Sequence, residues 1–300
     1  MARHAYLIMA HAQLDQAALL LRLLDHPEND CYVHVDRKAG AVDWEPLLAA
    51  VHAGRVFPAP RMRVDWGADN QVLCELMLLR TAFANGPYQY YHLLSGADLP
   101  LRSQEEIHAF FDAHAGKEFV NFEAETLNED RLSRVRYWHL FRGSRNVALR
   151  SLSRALLEGQ KLLRVDRLRR CPLTVQKGAN WFSITEDFAR YILERKGDWK
   201  RLLRCSHYGD ELLVQTALAS SPYWENRYAQ EYGPAVGNLR AIDWTRGAPY
   251  VWRMGDLEEL MSSGCLFARK FSMAVDPEIV HAVAARVRGK ESEETEGERV

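Results

Sequence analysis

"AYLIMAHAQLDQAALLLRLLDHPENDCYVHVD", residues 5–36, decides the fold class. "AYLIMAH" (5–11) is a short apolar run and reads as a buried strand. "LDQAALLLRLLDH" (14–26) spaces its leucines as a helix does. "DCYVHVD" (30–36) returns to β-branched and aromatic residues and stops on Asp36. Strand, helix, strand in this order predicts a βαβ unit with a parallel sheet, hence an α/β fold.

Outward from there the pattern continues. "GRVFPA" (54–59) is a third strand, and "DNQVLCELMLLRTAFANG" (69–86) is a helix stopped by Asn85 and Gly86. "YQYYHLL" (88–94) is a fourth strand. It runs into "LSGADLPLRS" (94–103), where Asp98 stands between Gly96 and Pro100 just before a helix-like run. A strand-to-helix turn of this kind is a common ligand position in α/β proteins. An aspartate there also serves as a turn residue bonding its own backbone, and the stretch leaves both readings open. The first hundred or so residues therefore read as a nucleotide-binding half. Neither GxGxxG nor GxxxxGK[ST] occurs, which argues against a dinucleotide or P-loop site.

Past a further expected strand, "KEFVNFEA" (117–124), the character changes. Residues 131–170 carry twelve Arg or Lys against two acids, Glu158 and Asp166, a local charge of about +10. Within them "VALRSLSRALLEGQKLLRV" (147–165) puts Leu149, Leu152, Leu156 and Leu163 near one helical face and Arg150, Arg154 and Lys161 elsewhere. Such a helix is either a surface helix with a solvated basic side or a face for anionic lipid or an anionic, lipid-linked acceptor. Helices are also expected from Thr185, as N-cap, to Glu194 and over "GDELLVQTALASSP" (209–222). "NLRAIDW" (238–244) is strand-like and "CLFARKF" (265–271) is a compact apolar and basic run.

The bulk composition is that of a soluble globular chain: 300 residues, 47% hydrophobic, 26% charged, net charge −1. A near-neutral chain has no global field for nucleic acid. Five scattered cysteines without a CxxC pair fit a reducing compartment. The apolar part of the N-terminus is too short for a signal peptide or span, so the expectation is a cytoplasmic protein, peripheral to a membrane at most. One domain over residues 1–288 and a disordered acidic tail, "KESEETEGERV" with its preceding glycine (289–300), complete the division.

The chemistry begins with absences. The chain has no D-x-D tripeptide, no HExxH, no His/Cys group at zinc spacing and no G-x-S-x-G elbow. What it has is a series: "HVDRKA", "RVDWGADNQV", "LLSGADLPLRS", "KGANWFSIT", "GDELLVQTALASSP", "NLRAIDW" and "CLFARKF". In this order, over residues 5–271, they resemble the Core-2/I-branching and peptide O-xylosyltransferase family of inverting glycosyltransferases, with "WFSIT" and "FARKF" closer to the xylosyltransferase branch. The resemblance implies a GT-A fold, with a nucleotide-sugar half (about 1–120) continuous with an acceptor half (121–288). It implies a UDP-sugar donor carrying GlcNAc or xylose, a glycan acceptor, and transfer without a metal cofactor. The family's role for the basic pair falls on Arg269 and Lys270, which would hold the diphosphate. Arg246 in "DWTRG" takes another basic position on a looser match. Glu211 takes the base position, with Asp210 beside it expected as a helix N-cap. Trp181 would stack on a sugar ring. Asn180 stands where the xylosyltransferases have Asp, which puts a serine-bearing peptide acceptor in doubt. Asp36, Trp66, Gly67 and Asp98 fall on the donor side, Asp98 shaping the donor site without holding a metal. The family's animal members carry anchors and disulfides, so the resemblance is to a bacterial-type member. Two classes stand: an active transferase, and a non-catalytic carbohydrate- or nucleotide-binding relative, which would need no base.

Overall fold

The computed structural model describes residues 3–141, 146–233 and 236–297, with side chains as far as residue 289. The order of elements is β1 (His4–Ala10), α1 (Leu14–Leu23), β2 (Asn29–Val35), α2 (Glu45–Leu48), β3 (Arg55–Pro58), α3 (Asp69–Phe83), β4 (Tyr90–Ser95), β5 (Asp98–Pro100) and α4 (Gln104–Ala113). The second part holds α5 (Glu129–Arg136), α6 (Val147–Leu162), β6 (Ser183–Thr185), α7 (Glu186–Glu194), α8 (Lys196–Leu203) and α9 (Asp210–Ala219). It ends with β7 (Arg240–Ile242), α10 (Leu257–Ser262), β8 (Phe267–Arg269) and α11 (Pro277–Gly297).

The main sheet has the order β3-β2-β1-β4-β6. β1 is parallel to both β2 and β4, β2 is parallel to β3, and β6 joins antiparallel to β4. The α/β class read from residues 5–36 is thus the class observed. Successive residues of β1 serve opposite faces: Tyr6 and Ile8 pack with α1, α10 and α11, while Ala5 and Leu7 pack with α3, α7, α8 and α9. Covering both faces is what lets a parallel sheet be apolar throughout. The chain winds from β1 to β2 and β3 on one side, then returns to β4 on the other. The crevice beyond the carboxyl ends of β1 and β4 is therefore the topological switch point, the usual ligand position in open α/β sheets.

A second sheet, β5-β8-β7, closes that crevice. β5 and β8 run antiparallel in a register that sets Asp98 opposite Arg269. β5 is kept short by Ser103, whose hydroxyl accepts from the Glu106 N–H while Glu106 accepts from the Ser103 N–H, a capping box that starts α4 at once. The expected cap of α7 is present too: Thr185 Oγ1 accepts from the Phe188 N–H.

Two expectations differ from the structure. "KEFVNFEA" forms no strand; Glu118 and Phe119 make single bridges to Arg227 and Ser183. Buried Glu118 spends its carboxylate on Thr185, and the chain turns off after one residue of pairing. The acidic stretch for which composition predicts disorder continues α11 as helix to Gly297; Glu, Lys and Arg are good helix formers, so propensity and composition point opposite ways there. Residues 298–300 lie outside the described residues. No helix among those described is long and apolar enough to cross a membrane.

Candidate active site

At the switch point, Ser95 ends β4 and Asp98 opens β5 three residues later. The Asp98 carboxylate, 2% exposed, accepts from the Ser95 N–H at 2.8 Å and the Ser95 hydroxyl at 2.7 Å, and pairs with Arg269 Nη1 at 2.8 Å. Arg269 also donates to the Ser95 hydroxyl and lays its guanidinium over the Trp181 ring, 4.4 Å from the centroid. Lys270 lines the adjoining crevice with His11, Gln13, Gln16 and Ser95. Partial burial, and then the charge of Arg269, hold the Lys270 ammonium below its ordinary pKa, with Asp98 pulling the other way. Two cations with one buried counter-carboxylate leave an edge with spare positive charge, able to take a dianionic or polyphosphate group.

A second charged group surrounds Glu211 in the first turn of α9. Arg134, from α5, reaches Glu211 Oε2 at 2.6 Å, and Lys177 reaches the same oxygen at 3.2 Å. Lys177 also binds Glu123, which Arg131 holds at 2.8 Å. Among the described residues, none hydrogen-bonds Glu211 Oε1. One carboxylate oxygen is therefore clamped, while the side chain as a whole keeps 28% of its surface exposed.

The segment 177–181 ties the two groups together: Lys177 touches Glu211 and Trp181 touches Arg269. Its path is dictated by close backbone packing. A Cβ on Gly178 would stand 1.8 Å from the Asn121 carbonyl oxygen, so only glycine fits. The Asn121 carboxamide accepts from the Ala179 N–H and Gln215 donates to the Ala179 carbonyl.

Behind Glu211 lies a buried acidic pair. Asp210 is not the helix cap expected of it: Gly209 occupies that position, and Asp210 points inward to accept from Gln71 Nε2 at 2.7 Å. Desolvation, and then the Glu211 charge, raise its pKa to about 7. Glu75, on α3, is pushed well above its ordinary value by burial and by Asp210. Asn180 is buried beside this pair, and its side chain faces Glu75, where it favours the charged carboxylate against the burial that opposes it.

The remaining expected residues are scattered around this centre. Asp36 follows β2 and accepts from the Lys38 and Val64 N–H groups, tying the turn after β2 to the segment that carries Trp66 and Gly67. Trp66 is 80% exposed with its ring edge-on to Tyr208 at 4.8 Å. Gly67 has φ +71°, and a Cβ there would meet the Tyr208 ring at 2.7 Å. Arg246 is held by Asp243, Asp256 and Glu259 and lies over Tyr250 and Trp252. Trp252 in turn donates to the Arg269 carbonyl, so Arg246 braces the strand end that carries the basic pair. His11, Gln13, Arg134 and Lys177 were not among the sequence candidates. His11 and Gln13 lie within three residues of the end of β1, a place that chain order marks; Arg134 meets Glu211 only through the tertiary fold. Among the described residues no three His, Cys, Asp or Glu side chains gather as a metal-holding group.

Comparison with known proteins bears on the whole chain. Rat xylosyltransferase 2 is 24% identical over 309 aligned positions, 96% of this chain and 34% of that protein, and dog xylosyltransferase 1 is 21% identical over 299, 93% of this chain and 30% of that protein. The chain thus spans about a third of the length of these xylosyltransferases. The mouse N-acetyllactosaminide beta-1,6-N-acetylglucosaminyl-transferase is 24% identical over 323 positions, 97% of this chain and 74% of that protein. The structure of mouse xyloside xylosyltransferase 1 aligns with 89% of this chain and 97% of its own at 11% identity and a TM-score of 0.36, too loose a likeness to carry an argument. The family model for "Branch: Core-2/I-Branching enzyme" matches residues 4–260, from the start of β1 into α10. The chain belongs to the Core-2/I-branching enzyme family.

Proposed function

We propose that the chain is an inverting glycosyltransferase that moves GlcNAc or xylose from a UDP-sugar to a hydroxyl of a glycan acceptor, without a metal cofactor. The observation that carries this reading is the segment 177–181, which joins the carboxylate of Glu211, through Lys177, to the cationic edge at Arg269, through Trp181. The relatives named above, xylosyltransferases and a GlcNAc transferase, support the choice of donor sugars.

In this reading the diphosphate lies at the switch-point crevice against Arg269 and Lys270. Asp98 and Ser95 aim the guanidinium, and the Trp181 ring backs it. The acceptor oxygen attacks the anomeric carbon from the side opposite UDP. As the new C–O bond forms, the bond to the diphosphate oxygen breaks and its electron pair leaves with UDP. Arg269 and Lys270 meet the charge that grows on the leaving group. The acceptor proton passes to Glu211 Oε1 while Arg134 and Lys177 keep Oε2 fixed, so the base is oriented before the acceptor arrives.

UDP release from a panel of UDP-sugars, with and without glycan acceptors, tests this. Release that accelerates with acceptor and persists in EDTA is expected. UDP binding with no turnover on any donor would instead assign a non-catalytic binding protein. Loss of turnover in EDTA, restored by manganese, would show that the two cations do not replace a metal.

A further inference from the structure

The helix α6 is built unlike any other long helix of the fold. None of its sixteen residues is buried. It is tied down along one narrow side: Ser153 donates to the Leu140 carbonyl, and Gln160 both accepts from the Trp138 N–H and donates to the Trp138 carbonyl. Asn146 caps its start. The leucines lie at the surface, as a surface helix requires. Leu152 is 45% exposed, Leu156 38%, Leu162 84% and Leu163 78%. At about 100° per residue, Leu152, Leu156 and Leu163 fall within about 40° of one another, with Ala155, Gly159 and Leu162 extending the same arc.

The same stretch of chain carries cations without counter-charges. Arg131, Arg134 and Arg136 are taken up by carboxylates, and Arg167 by backbone carbonyls and the Trp138 ring. Arg150, Arg154, Arg164, Arg169 and Arg170 are all exposed, and among the described residues their side chains have no partner. On the helix itself the one acid, Glu158, is paired with Lys161. Arg150, Arg154 and Lys161 share the polar side, away from the leucines.

We infer that α6 is a docking helix for an anionic lipid surface. Leucines on one face and basic residues on the other is the composition of a helix that lies in the plane of a bilayer interface. The arginines remain within about a helix diameter of the headgroups, close to the Debye length at physiological salt, so their charge still acts there. A soluble polyanion would use the arginines and leave the leucines unexplained. α6 contributes no side chain to the contacts around Glu211 or Arg269, so this inference and the proposed transfer reaction stand or fall separately.

The test is flotation of the full chain with vesicles of phosphatidylcholine alone or with about a third phosphatidylglycerol, at low salt and at about 0.5 M salt. Binding to the anionic vesicles at least about tenfold tighter than to neutral ones, and falling steeply with salt, is expected. Replacing Leu152, Leu156 and Leu163 together by Ser should weaken it by roughly tenfold or more, because the buried part of the arc is lost. These side chains are exposed, so an unchanged melting temperature and unchanged UDP release confirm that the variant is folded. Equal binding to both vesicle types, or none to either, would overturn the inference. So would a wild-type dimer abolished by the same leucine changes, which would assign the face to a second copy. Undiminished binding by the Ser variant would also overturn it, leaving an interaction of charge alone.

Discussion

The edge at Arg269 and the group around Glu211 are both charged, yet they are held by different means. Asp98 and Arg269 face each other across paired strands, and the carboxylate is buried in a set of short hydrogen bonds. Backbone register places these charges. Glu211 is held by long side chains arriving from α5 and from the segment 177–181, and it keeps partial exposure to solvent. Side chains place that charge, and they can exchange partners. The difference suits a reaction in which one side must only stabilise a leaving diphosphate while the other must take up a proton and release it.

Glu211→Gln should give the largest effect. It keeps the size of the side chain and an oxygen for Arg134 but removes the basic carboxylate. General-base catalysis is typically worth about 10²–10⁴-fold, so kcat should fall within that range while UDP affinity stays within a few-fold. Rapid-quench or coupled UDP-release kinetics alongside a UDP titration would read both. Near-normal turnover would remove Glu211 from the base role and make its group a structural salt-bridge network.

Lys270→Ala should act on the other side of the comparison, and less strongly. A charge-assisted contact is worth about 1.5–3 kcal/mol, which is roughly 10–150-fold in UDP affinity. The melting temperature should change little, because Lys270 is half-buried and makes no ion pair among the described residues. If calorimetry showed UDP affinity unchanged, the cationic edge would not be the diphosphate site, and Arg269 would serve only to close the second sheet against Asp98.

The same contrast explains what could be read in the sequence. Strands β1, β2 and β4 announce themselves as apolar runs, and the residues where they end, Asp36 and Ser95 to Asp98, follow from chain order alone. The clamp on Glu211 does not: Arg134 is 77 residues away, inside a basic stretch where nothing marks one arginine from the next. The α6 leucines have helical spacing, but spacing does not say whether a partner face exists, and among the described residues none covers Leu152, Leu156, Leu162 or Leu163. "KEFVNFEA" has strand composition, yet the buried Glu118 carboxylate diverts it into a cap for Thr185.

Asp210 sets the smallest effect and the sharpest test of how the Glu211 side is built. Read as an N-cap, it would give a mild response to Asp210→Asn, nearly constant above about pH 4, where a capping carboxylate is fully ionised. Buried against Glu75, with a pKa raised from 3.8 to about 7, it should behave otherwise. The folded chain holds the Asp210 proton more tightly than the unfolded chain does, so the stability this confers is full below about pH 4 and is lost as pH rises towards 7. Asparagine cannot ionise and still offers an oxygen to Gln71. The variant should therefore match the parent near pH 4, gain on it between pH 4 and 7, and stay ahead by a few degrees above pH 7, at roughly 2–4 °C per kcal/mol. Melting temperatures across that range would show it. A constant difference at every pH, or a variant that loses stability at pH 8, would return Asp210 to a simple polar contact and leave the buried acidic pair without a share in the charge balance around Glu211.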